Sequence, residues 1–292
     1  MLKSIFAAAL VLLCAVPAIA GPLDDPLSRD RVRQEIVDRL RAHPEIADVT
    51  VRADGSFDYK GRSGGTAVAT IDNIFLDLGN TKRAERDGIL EMYLRSAIRA
   101  VAPVKTKIDL SSLRITVYDD VYFREAFDQV AAPEGTRVEG GTFNLIRRPL
   151  ASGLWAVIVI DTPDDVTTFT QESLATMPNT AAEVWAAADA NLARHVSGFK
   201  LIDHEWVWLA QVDGYYENAL MAVPAVWPDI AQKIGGTPIV ATPSRGLLLI
   251  VNNDAPETLA ALRRITTKFF NERGHKITDQ IYRWTPEGWQ TL

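Results

Sequence analysis

Hydrophobic positions change period several times along this chain, and each change marks an element. Val32, Ile36, Val37 and Leu40 fall on one helical stripe behind Ser28, which has the chemistry of an N-cap, so a helix is expected over 28–42 with His43-Pro44 as its stop. Val49 and Val51 then alternate with polar neighbours up to Asp54-Gly55, and Phe57 and Tyr59 alternate beyond it, the pattern of a β-hairpin. A strand is expected over 66–71. A helix is expected over 82–101, where Ile89, Leu90, Met92, Tyr93, Leu94, Ala97 and Ile98 recur at helical spacing before Pro103. Leu113, Ile115 and Val117 read as a strand, 122–130 as a short helix, and 142–148 and 154–160 as two further strands. The last of these is almost wholly apolar and so belongs inside a sheet.

Residues 162–179 are rich in Asp, Pro, Thr and Ser, with little periodicity, and mark a boundary between 21–161 and 180–292. Beyond it, Val184, Ala188, Leu192 and Val196 share a helical face. Trp206, Trp208 and Ala210 alternate towards Asp213-Gly214, a second hairpin signal from which Tyr215 would open the return strand; Trp206 and Trp208 then share a core-facing side. Pro224 suits the first turn of a helix ended by Gly235-Gly236. Strands over 238–242 and 247–251 flank Pro243-Ser244-Arg245-Gly246, Pro256 opens a helix to about residue 273, and a final hairpin turns at Pro286-Glu287-Gly288. The order is that of an α+β fold: a mixed, mainly antiparallel sheet with hairpins and packed helices, its two halves sharing a helix, strand, Asp-Gly, strand layout.

The first twenty residues change the setting. Lys3 precedes an apolar run from Ile5 to Val16 that closes on Pro17-Ala18-Ile19-Ala20, the order of a cleavable secretory signal, with cleavage expected after Ala20 and a periplasmic or secreted product. Cleavage would remove Cys14, the single cysteine, so no disulfide is expected and stability must come from the core, for which a 47% hydrophobic composition suffices. No later apolar run is long enough to span a bilayer. A formal net charge of −6 without a basic cluster longer than Arg147-Arg148 or Arg263-Arg264 argues against nucleic-acid partners and anionic membrane surfaces.

From 180 to 292 the chain resembles the domain of unknown function 1444 family, bacterial proteins without an established activity. The residues that carry the likeness are Ala190-Asn191-Leu192, Asp213-Gly214-Tyr215, the run Val240-Ala241-Thr242-Pro243-Ser244-Arg245, the apolar strand after it, and Ile281-Tyr282 with Trp289. Gly246 stands where that family often carries an acidic residue, so the resemblance implies no Arg–acid pair here. It implies a fold and no mechanism, and an export signal sets this chain apart from members that look cytosolic.

The four histidines, His43, His195, His204 and His275, include no pair at metal-ligand spacing, and Asp203-His204-Glu205 would split its donors between two strand faces, so no metal is expected. Ser244 lies in a turn without a Gly-x-Ser-x-Gly elbow, and Gly61-Arg62-Ser63-Gly64-Gly65 lacks the lysine and following helix of a phosphate loop; it reads as a flexible hairpin extension. Asp119-Asp120 and Asp164-Asp165 carry no specific signal. The candidate binding group is Asp213, Tyr215, Tyr216, Ser244, Arg245 and Asn253, with Glu217, Asn218 and Asp254 beside it, converging on one sheet edge; the plain alternative is hairpin chemistry with a surface ion pair. No cofactor is implied and no catalytic residue can be named. The expected function is a noncatalytic module of the cell envelope that binds a ligand or protein; the alternative is a small envelope hydrolase whose site is not readable from sequence.

Overall fold

The computed structural model describes residues 21–101, 108–120, 122, 145–162 and 165–292. The expected export signal, Pro103, Asp164, most of the helix expected over 122–130 and the start of the strand expected at 142 lie outside them. Ser28 accepts from the backbone N–H of Arg31 and opens α1 (Arg29–Ala42), whose Val32, Ile36, Val37 and Leu40 are all buried. Strands β1 (Ile46–Val51), β2 (Phe57–Gly61) and β3 (Thr66–Ala69) form an antiparallel meander, and the Asp54 carboxylate accepts from both the backbone and the hydroxyl of Ser56 in its first turn. A helix not anticipated, α2 (Asp72–Asn80), follows; its core face is only Ile74 and Leu78, too short a stripe to declare a period. A 3₁₀ turn at Arg83–Glu85 then leads into α3 (Arg86–Ala100). These elements enclose one apolar core in which Val32, Leu40, Ile74, Leu78 and Leu90 are completely buried. The glycine run between β2 and β3 is not a flexible extension: Gly61 and Gly65 press on the backbone of Val101 with no room for a Cβ, and Ser63 donates to its carbonyl at 2.8 Å.

In the second sheet β6 (Leu154–Thr162) is central, as its apolar sequence requires. It pairs with β4 (Leu113–Asp119) along one edge, and with β5 (Arg147–Ala151) and β7 (Asp165–Thr168) in succession along the other, all antiparallel. The short helix α4 (Gln171–Ala175) and then α5 (Ala181–His195) follow, the latter opened by a reciprocal Thr180–Glu183 capping box. Strands β8 (Lys200–His204), β9 (Val207–Gln211), β10 (Ile239–Ala241), β11 (Leu248–Val251), β12 (Ile281–Thr285) and β13 (Gly288–Thr291) form the third sheet, antiparallel in the order β13-β12-β10-β11-β9-β8. Helix α6 (Trp227–Ile234) ends on Gly235 in the left-handed region, as expected, and α7 (Pro256–Glu272) covers one face of the sheet, its Leu262 sharing a core with Leu249 and Val251. The other face, through Val240, Leu248, Ile250 and Tyr282, shares a core with β4, β6 and α5. With seven helices and three antiparallel sheets among the described residues, the fold is α+β.

Two expectations need correction. The second large core runs across 162–179, with Phe169 inside it, so this segment is no divider between cores; the separate core is that of residues 21–101. Asp213-Gly214 is not a hairpin turn either. The β8–β9 hairpin turns at Glu205-Trp206, where Trp206 is 42% exposed rather than core. Tyr215 opens no strand because side chains capture the donors that a strand would need. Asp213 accepts from the N–H groups of Tyr215 and Tyr216, Glu217 accepts from those of Val212 and Gly214, and the chain coils into a buried 3₁₀ helix at Asn218–Ala222.

Candidate functional site

The coiling at Asp213 sends Gly214 and Tyr215 towards the turn that joins β10 to β11. Gly246 in that turn has φ +69°, and its Cα lies so close to the Gly214 carbonyl that a Cβ would overlap it. The turn is pinned on its other side by backbone bonds from Arg245 to His275 and from Ile277 to Pro243, at 2.9 and 3.1 Å. Between these supports the Arg245 guanidinium lies over the Tyr215 ring, 4.7 Å from its centroid.

Other tyrosines converge on the same place. Tyr118, at the end of β4, stacks on Tyr122 with centroids 3.9 Å apart and planes 11° from parallel; Tyr93 comes from α3 and Tyr59 from β2. Five of the seven tyrosines of the chain line one cleft of about 970 Å³ between the first core unit and the rest of the fold. That volume is at the upper end of small-molecule sites. The two sides are held together by Asn73, at the start of α2, which accepts from the N–H of His275, and by an ion pair at the rim between His275 and Asp77 at 3.3 Å.

Arg245 makes the cleft electrostatically unusual. Its Nε is enclosed without a hydrogen-bond partner, and among the described residues no carboxylate pairs with the guanidinium. Burial works against its charge, but the Coulombic attraction of Tyr118, Tyr215, Tyr122 and Tyr93, which acts in the alkaline range where these phenols ionise, outweighs it and holds the pKa above the usual arginine value. Burial pushes the phenols of Tyr59 and Tyr93 up to about 12, and raises Tyr122 as well, so they remain neutral hydroxyls at physiological pH. The cleft thus presents one partly enclosed guanidinium among neutral phenols and walls that mix apolar side chains with hydroxyls.

Of the candidate residues, only Tyr215 and Arg245 line it. Tyr216 points into the core against the His195 ring. Ser244 is 1% exposed, its Oγ without a hydrogen-bond partner, so it meets no base. Glu217 and Asn218 are buried. Asn253 lies at the opposite end of β11, where it accepts from Ala255 ahead of α7, and Asp254 pairs with Arg283; neither belongs to the cleft. Tyr59 and Tyr93 escape sequence reading because they occupy the apolar phase of β2 and α3, whereas Tyr118 lies on the face of β4 opposite to Leu113, Ile115 and Val117, out of phase with the stripe that declares the strand.

Asp213 acts from outside by fixing the Tyr215 turn. One carboxylate oxygen caps Tyr215 and Tyr216, and the other is 2.7 Å from His195 Nε2. Burial alone would raise this carboxyl, but the bonds from His195 and the two backbone N–H groups prevail and hold it below the usual aspartate range. A depressed folded pKa contributes stability above the unfolded pKa of about 3.9, which is lost as pH falls through the folded value. Asp213→Asn is therefore expected to lower the urea midpoint clearly at about pH 6 and to converge on the wild type near pH 2. A gap that stays constant between those pH values would show that the charge of Asp213 contributes nothing.

No cluster of His, Cys, Asp and Glu suited to a metal occurs among the described residues, and no helix among them is long and apolar enough to cross a membrane. Comparison of the chain with protein-family models, curated proteins and solved structures finds no match.

Proposed function

We propose that this chain is an exported, noncatalytic ligand-binding module of the cell envelope, periplasmic or secreted, and that the tyrosine-lined cleft is its binding site, with Arg245 and Tyr215 as the principal contacts. The observation that carries this reading is the enclosed guanidinium of Arg245, which faces a cleft of ligand size with no carboxylate partner among the described residues. Desolvating an unpaired cation is costly, and the fold gains little from it, since the surrounding turn is already held by backbone hydrogen bonds. A bound anion would offset that penalty. The signal-like first twenty residues support export, and the likeness to the domain of unknown function 1444 family is kept within this proposal without adding an activity to it. The hydrolase alternative lacks support at Ser244, whose hydroxyl contacts no histidine.

A thermal-shift screen against metals, nucleotides, sugars, peptides and lipids tests the reading, run in parallel on Tyr215→Ala and Arg245→Ala. A ligand present at about one hundred times its Kd should stabilise the wild type by ~2.7 kcal/mol, and both variants should lose that gain. Ligands that stabilise all three proteins equally would place the binding site elsewhere.

A further inference from the structure

We infer that the ligand of the cleft is a carboxylate amphiphile, with a single carboxylate head on Arg245 and an extended apolar body along the wall formed by α3. This rests on the cleft-binding reading and narrows it to one chemical class.

The head group follows from the count and kind of donors. Arg245 is the one cation set deep in the cleft among the described residues; Arg273 is exposed at the rim, and His275 is paired with Asp77. A guanidinium offers two parallel N–H groups that match the two oxygens of a carboxylate. A phosphate monoester, with nearly two charges, calls for further cations, and among the described lining residues these are only Arg273, exposed at the rim, and His275, which faces Asp77. Neutral phenols nearby donate to an anion without adding opposing charge. A cationic head would meet the positive field of Arg245, and the acid in the described lining, Asp77, already faces His275.

The body follows from the walls. Beside the phenols the cleft is lined by the apolar Ile89, Met92 and Ala97 of α3, Phe57 of β2, and Val159 and Val166 of β6 and β7, interspersed with Asn80, Ser96 and several threonines. Met92 is 52% exposed, among the few large apolar side chains that the described surface leaves in water. A flexible, polarisable side chain at such a place adapts to chains of varied shape. Apolar wall segments beside a single deep cation are complementary to a molecule with one charged end and an apolar body, and the hydroxyls among those segments can keep their own water.

The test is isothermal titration of the purified protein with octanoate, decanoate and dodecanoate below their micellar concentrations. Acetate serves as the head alone, decyl maltoside as a neutral head, decyltrimethylammonium as an inverted head and dodecyl phosphate as a second anion. Each added methylene should tighten carboxylate binding two- to fourfold, the upper figure corresponding to full burial. Decanoate should bind at least tenfold more weakly to Arg245→Gln, with Arg245→Lys intermediate, while decyl maltoside should respond to neither. The chain-length and head-group series on the wild type stand even if a variant folds poorly, which its circular dichroism would reveal.

Equal binding of decanoate and decyl maltoside would overturn the carboxylate head, acetate binding as tightly as dodecanoate would overturn the apolar body, and preference for dodecyl phosphate would assign the head to phosphate. In each of those cases, loss of binding in Tyr215→Ala would leave the cleft standing as the site. A hydrophobic peptide with a free C-terminus binding while every amphiphile fails would replace this ligand class with another. If no probe of the titration or of the wider screen bound at the cleft, both readings would fall.

Discussion

Gly246→Ala is expected to remove roughly 3 kcal/mol or more of stability and to abolish ligand binding in the cleft, because two independent penalties meet at one atom. The φ of +69° is one that an L-residue adopts only with strain, and the added Cβ would fall inside the carbonyl oxygen of Gly214, a backbone atom that cannot swing aside. Relief requires separating the turn that carries Arg245 from the turn that carries Tyr215, so the cation–π contact is lost together with the packing. Gly64→Ala isolates the first penalty: its φ is +97°, and nothing lies near the position of its Cβ. That variant should lose about 1 kcal/mol, read as the shift in urea midpoint. If the two substitutions prove equally mild, the close approach of the turns does not govern the site.

The sequence is informative where a single local rule decides the outcome. The helix under Ser28, the Asp54-Gly55 hairpin, the apolar strand β6 and the glycine stop of α6 all follow from cap, turn or period, and the structure has them. It misleads where two local rules compete. Asp-Gly after an alternating stretch promises a hairpin, yet an aspartate with free acceptors and a glutamate four residues later can instead bind the local N–H groups, and here they do. Gly61 and Gly65 look like freedom in one dimension and are tight packing against Val101 in three.

The site was half legible for a related reason. Tyr215 and Arg245 stand out because turns rarely need an aromatic ring and a guanidinium. Asn253 has the same credentials but is separated from them by the length of β11, a distance that only strand pairing reveals. Tyr59, Tyr93, Tyr118 and Tyr122 come from four different stretches of chain, and nothing along the sequence indicates that α3 and β4 face one another across a cleft.

Trp227→Ala is expected to give the second large effect, and an effect of opposite character. Trp227 is completely buried at the start of α6; its indole N–H donates to the Leu220 carbonyl at 3.0 Å, and its ring meets Trp289 edge-on at 4.6 Å. Truncation removes the largest side chain in the core, leaves the Leu220 carbonyl with the Val223 N–H alone and strips Trp289 of its aromatic partner, a loss of about 3–5 kcal/mol. For a chain of this size each kcal/mol lowers Tm by roughly 2–4 °C, so a fall on the order of 10 °C should appear in a calorimetric scan. Neither tryptophan lines the cleft, so below that transition the variant should bind the wild-type ligand with unchanged Kd. Gly246→Ala, by contrast, should lose affinity even under conditions where it remains folded. If Trp227→Ala weakened binding in proportion to its loss of stability, the cleft would be a property of the whole core. If affinity survives, the geometry of Arg245 and Tyr215 is set locally, by the contact between Gly214 and Gly246.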